Sequence, residues 1–168
     1  MQHVHNGKDF IKMKNKNGFT LIELLAVIII LAILMIIAVP NILSTLATAR
    51  QQAFLTQAQS IYKAAQQQFT IKSMQNKYVT CFSNNPTINS TESSAGITVD
   101  DKKLDLGSIS SSVSYRVEVN NSKIVFISVS DSGQQLSITV GTSGGSTEVN
   151  QNEIVGTPAS AITITQCS

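Results

Sequence analysis

Lys16-Asn17-Gly18-Phe19-Thr20-Leu21-Ile22-Glu23-Leu24-Leu25 opens an apolar run that continues without interruption to Val39 and closes at Pro40. From Leu24 to Val39 there are sixteen consecutive apolar residues, and the next charge is Arg50. Phe19 to Val39 is 21 residues, about 31 Å as a helix at 1.5 Å per residue, which matches a hydrocarbon core of about 30 Å. The one carboxylate in the segment, Glu23, stands near its start. Such a group costs about 2.5–3.5 kcal/mol at the centre of a membrane helix on insertion scales, so a partner is expected for it.

Charge divides the chain at the same place. Residues 1–18 carry Lys8, Lys12, Lys14 and Lys16 against Asp9, whereas the remaining 150 residues hold 8 basic and 9 acidic side chains. Lysines ahead of an apolar helix hold the amino terminus on the cytoplasmic side, which places the rest of the chain outside. Residues 1–18 read as a polar, aperiodic cytoplasmic leader. The near-neutral remainder has no electrostatic footprint for nucleic acid, so none is expected as a partner of the head. Two cysteines, Cys81 and Cys167, follow the apolar helix. In a compartment that permits disulfides, an even count of two reads as one bridge. Closing so long a loop stabilises by roughly 4–5 kcal/mol on the chain-entropy relation.

Proline inside a helix removes a hydrogen bond and crowds the preceding turn, so a kink is expected at Pro40. Beyond Asn41 the pattern becomes amphipathic. Phe54, Ala58, Ile61, Ala65 and Phe69 recur at spacings of three and four, and no glycine or proline intervenes before Pro86. One helix from about Phe19 to about Gln75 is predicted, its second half carrying a single apolar stripe that needs a covering layer.

Val113, Tyr115, Val117 and Val119 alternate with polar residues, as do Leu136, Ile138 and Val140. Asn120-Asn121-Ser122 and Asp131-Ser132-Gly133 read as turns on either side of a strand from Lys123 to Ser130. Ile162 and Ile164 predict a last short strand ending at Cys167. Residues 82–112, rich in Ser, Asn, Thr and Gly, read as a long connection with at most short elements. The expected class is α+β: a long amino-terminal helix packed on an antiparallel sheet. The expected organisation is 1–18 leader, 19–40 membrane helix, 41–77 amphipathic continuation and 78–168 β head.

No residue set for catalysis or metal binding stands out. His3 and His5 lie in the leader, and Asp100-Asp101 reads as a solvated turn. Metal-ligand spacing, a Ser/His/Asp set and a glycine-rich phosphate loop are lacking, so neither an enzyme nor a cofactor is expected. Asn89-Ser90-Thr91 and Asn120-Asn121-Ser122 match a glycosylation triplet that is frequent by chance. Ala47-Thr48-Ala49 matches the small-residue pattern of an ordinary secretory cleavage site, which would release a chain starting at Arg50. Sixteen uninterrupted apolar residues exceed the usual 7–15 of such a signal, and Pro40 comes well before the site.

The stretch from Lys16 to Leu25 closely resembles the amino-terminal signature of type IV pilins and type IV pilin-like proteins. The resemblance implies that a membrane-embedded aspartyl peptidase cuts after Gly18 and methylates the new terminus at Phe19. Glu23 would be the family's glutamate, meeting the Phe19 amine of a neighbouring subunit and setting register in a filament. The residues themselves also allow a local pairing, since Glu23 lies four positions after Phe19 and faces the positive end of the helix dipole. The family often has a glycine inside this helix, and Leu24 to Val39 contains none.

The implied function is a structural subunit of a type IV pilus, serving adhesion, surface motility or aggregation. It would be made as a single-pass precursor in the cytoplasmic membrane and then assembled at the cell surface. Implied partners are sister subunits in a helical filament, the prepilin peptidase, and the assembly platform with its ATPase. The alternative is a minor pilin or pseudopilin of a secretion or DNA-uptake system. A receptor-like binding head on an incidental anchor is a further class.

Overall fold

The computed structural model describes residues 18–107, 110–165 and 167. Of the expected leader, 1–18, all but Gly18 lies outside the described residues. The chain forms two compact units, Met1–Leu43 and Ser44–Ser168. Helix α1, Leu21–Met74, belongs to both, and its backbone stays helical through Pro40.

In the first unit, the apolar side chains from Leu21 to Val39 are uncovered by protein. The mean hydropathy of the best window of α1 is 3.3 and none of that window is buried, the surface expected of a helix whose solvent is lipid.

The second unit begins with the rest of α1, from Ser44. Its stripe of Phe54, Ala58, Ile61, Tyr62 and Ala65 is buried, with Phe69 packed against the same core. Each large apolar side chain removed from water contributes about 1.5–3 kcal/mol. The helix ends without glycine. Asn76 adopts φ 60, its N–H reaches the Ser73 carbonyl at 3.0 Å, and the Lys77 N–H reaches the Lys72 carbonyl at 2.9 Å. This is the paired bonding of a Schellman motif, with asparagine in the left-handed position.

A four-stranded antiparallel sheet follows, β1 Cys81–Ser83, β2 Val113–Asn120, β3 Lys123–Asp131 and β4 Leu136–Gly141, hydrogen-bonded in that order. Register puts Tyr115 opposite Val129 and Val117 opposite Ile127 and Phe82. These residues share one face and join the core that contains the α1 stripe. Asn121 and Ser122, at φ 50 and 66, make the two-residue turn between β2 and β3, in the left-handed conformation that matches strand twist. The ladder is irregular between Glu118 and Val119, and Val125 is left without a register partner opposite. Gly141, at φ +83, lies against that site; a Cβ there would stand 2.1 Å from the Val125 carbonyl oxygen.

The connection between β1 and β2 holds helix α2, Ser90–Ser94, and a 3₁₀ turn, Asp100–Lys102. Asp100-Asp101 is not simply a solvated turn. Asp100 is exposed, but Asp101 is buried and accepts from Lys72 Nζ at 2.6 Å and Lys77 Nζ at 2.8 Å. The Thr98 N–H and hydroxyl donate to the same carboxylate, each at 2.8 Å. One acidic side chain thus ties the end of α1 to the connection. Burial on its own would raise the Asp101 pKa, but the two ammonium groups and the Thr98 donors outweigh it and hold the carboxyl well below its ordinary range.

The strand expected at Ile162 and Ile164 does not form. Ala159 makes a single bridge to Ser137 on β4, whereas Cys167 is bonded to Cys81 on β1, at the opposite edge of the sheet. Three strand spacings, about 14 Å, separate those edges. A segment that runs across strands cannot form a ladder with them, so the alternation of Ile and Thr goes unused.

Candidate functional site

The residues that carry the sequence signature lie at the start of α1. Gly18, Phe19 and Thr20 precede the first helical residue, Leu21. Phe19 is 91% exposed. Helix starts leave four backbone N–H groups without intrahelical acceptors, and here Thr20 and Glu23 satisfy two donors at once. The Glu23 N–H reaches Thr20 Oγ1 at 3.3 Å, and Glu23 Oε2 accepts from the Thr20 N–H and hydroxyl, each at 2.9 Å. This reciprocal pairing is a capping box, Thr at N-cap and Glu three residues on.

The structure therefore joins Glu23 to Thr20. The partners of Glu23 in the uncleaved chain come from the cap, not from Phe19. Both side-chain bonds use Oε2; Oε1 accepts from no donor among the described residues. Thr20 was not singled out from sequence, although Thr-x-x-Glu ahead of an apolar run is a legible capping signal.

Among the described residues, a Cβ added at Gly18 would meet nothing within 4 Å. None of them makes a steric demand for glycine at that position. Pro40 lies within α1, and its side chain is outside what is described. Cys81 and Cys167 form a disulfide with a Cα–Cα distance of 5.8 Å and a sequence separation of 86. The expected bridge is present in the second unit, and it encloses all four strands.

Residues 13–39 match the prokaryotic N-terminal methylation motif. Comparison with curated proteins and with solved structures gave no match. The motif, a class III signal peptide, is typical of type IV pilins and pseudopilins. A long amino-terminal helix packed on a four-stranded antiparallel sheet is likewise a pilin-like α+β fold.

In motif and fold the chain is similar to type IV pilin-like proteins, which carry a prepilin processing motif and are structural rather than catalytic. Such a motif implies processing by a prepilin peptidase and handling by assembly machinery. With the apolar part of α1, it describes a membrane-anchored precursor.

Proposed function

We propose that this chain is the structural subunit of a type IV pilus, cleaved between Gly18 and Phe19 and methylated on the new Phe19 amine. The observation that carries the reading is the methylation motif over residues 13–39, coinciding with a glycine that no described residue crowds. A residue without a side chain suits close approach by a peptidase.

Cleavage creates a charged amine at Phe19, one residue before the cap, in an apolar setting. An unpaired charge there is costly, and a nearby carboxylate offsets much of that cost. Glu23 is that carboxylate. In the precursor it caps its own helix; in the filament it meets the amine of a neighbouring subunit and sets register. Methylation keeps the charge of the amine and adds apolar surface. Pro40, which removes one helical hydrogen bond, is the point at which α1 can yield during assembly.

Intact mass of protein sheared from the cell surface tests this. The expected species begins at Phe19, carries one methyl group, and is two hydrogens lighter than its reduced form. A chain starting at Arg50 overturns the proposal, and a correctly processed chain found only in trace amounts in filaments assigns it instead to a minor pilin or pseudopilin.

A further inference from the structure

The outer face of the sheet, away from the α1 stripe, carries Ser83, Arg116, Glu118, Phe126, Ser128, Ser130, Ser137 and Thr139. Register pairs Arg116 with Ser83 and Ser128, and Ser128 with Thr139. Ser83, Ser128, Ser130 and Ser137 are buried, as a covered face requires. From Ala159 to Thr165 the chain runs over this face, and Cys167 lies at its far edge. At β4, Ala159 exchanges two backbone hydrogen bonds with Ser137, each 2.9 Å, and Ser137 Oγ donates to the Ser160 carbonyl at 2.7 Å. At β1 the Cys167 carbonyl accepts from the Thr87 hydroxyl at 2.7 Å and N–H at 3.2 Å.

Between those ends the segment is held by Arg116 on β2, whose Nη1 donates to the Thr165 carbonyl at 3.3 Å. Three further contacts hold the guanidinium, while its buried Nε has no hydrogen-bond partner among the described residues. Nη2 pairs with Glu118 Oε1 and donates to Ser143 Oγ at 3.3 Å, and the guanidinium carbon lies 5.9 Å from the centre of the Phe126 ring, within cation–π range. Glu118 is held in turn by the Ser143 hydroxyl and the Gly144 N–H, each at 2.7 Å. A planar fork immobilised in this way loses little freedom when it accepts one more partner.

We propose that Arg116 is a second, non-covalent latch on residues 159–165, holding them across the sheet before and without the disulfide and so presenting Cys167 to Cys81. Any contact that keeps the two thiols close in the reduced chain raises the effective concentration of one at the other. With oxidised glutathione, a thiolate of the pair attacks and releases one glutathione. The second thiolate then displaces the other, giving the protein disulfide and two reduced glutathiones. The latch favours the second step, which is the intramolecular one.

The test uses the full chain in detergent micelles, equilibrated in glutathione buffers of varied ratio, with free thiols trapped by alkylation and counted by mass. Arg116→Ala is expected to lower the equilibrium constant for forming the bridge about tenfold, the effect of one lost charge-assisted hydrogen bond. Arg116→Lys is expected to do the same, because a point charge can stay beside Glu118 but cannot also hold Thr165; it carries the test if the alanine variant does not fold. In a Cys81→Ser/Cys167→Ser chain, the Ala159 amide, which bonds the Ser137 carbonyl at 2.9 Å, is expected to stay protected from exchange and to exchange faster when Arg116→Ala is added. An unchanged equilibrium constant in a folded Arg116 variant, or free exchange at Ala159 in the double-serine chain, overturns the proposal.

Discussion

Thr20 and Glu23 bond each other in opposite senses: each takes the other's backbone N–H on its side chain, and the Thr20 hydroxyl adds a third bond to Glu23 Oε2. The carboxylate proposed to act in assembly thus has a structural task beforehand. Thr20→Val should remove the Thr side of the box and destabilise the first turn by about 1 kcal/mol. Hydrogen exchange at Glu23 and Leu24 in micelles should speed up, and Thr20→Ser should restore most of the protection.

Gly18→Leu should separate fold from processing. A Cβ there meets nothing among the described residues, so thermal stability should match the unaltered protein. Full-length precursor should nevertheless accumulate in the membrane, detectable by immunoblot. Normal filaments from that variant would count against cleavage at this bond.

The Asp101 carboxyl gives a defined pH dependence. Its folded pKa lies below its unfolded value, so its stabilisation is fully present above the unfolded pKa. That contribution declines as pH falls through the ordinary carboxylate range, from about pH 5 downward, toward the folded value. Tm measured against pH should therefore drop on the acid side. Asp101→Asn should lower Tm at pH 7, because Lys72 and Lys77 lose their shared counter-charge, and should flatten the acid slope.

Removing the bridge with Cys81→Ser/Cys167→Ser should cost about 4–5 kcal/mol, since it closes a loop with a sequence separation of 86. A lower urea midpoint with little change in the native far-UV spectrum is the expected record. A midpoint equal to that of the oxidised chain would show that the loop-closure account fails here.

Two glycines of the β4 turn should differ. Gly141→Ala places a Cβ 2.1 Å from the Val125 carbonyl oxygen and 2.6 Å from Val149 Cγ2, so the backbone has to move. Gly144→Ala meets nothing within 4 Å and bears only its positive φ of 71. The first should cost more than 2 kcal/mol, as overpacking does, and the second about 1 kcal/mol. Parallel thermal melts check the order.

Periodicity made much of this fold legible. The 3.6-residue stripe from Phe54 to Ala65 and the alternation from Val113 to Val119 are local records of burial, and both elements form where those records lie. The Gly18–Glu23 signature was equally plain because it is contiguous. Ile162 and Ile164 carry the same alternation but form no strand, since the bond from Cys167 to Cys81 directs that segment across the sheet. Asp101 resembled any surface turn; only folding brings Lys72 and Lys77 to it. Strand β1 is three residues long, too short for a period to show. Arg116 sits at an outward position of a clean strand, where a charged side chain is the default, and nothing nearby in sequence marks Thr165 as its partner.

The enclosure of the sheet by Cys81 and Cys167 has a consequence for any proteolytic cut within it. A peptide bond cut once between those residues, for example in the exposed turn around Gly144, opens a ring but releases no fragment. The severed piece stays joined to the helix through sulfur, and the strands on either side of the break keep their ladder partners. A nicked chain would gain only the mass of one water and keep both pieces together until a reductant reached the bridge, and the damage would show on a gel only after reduction.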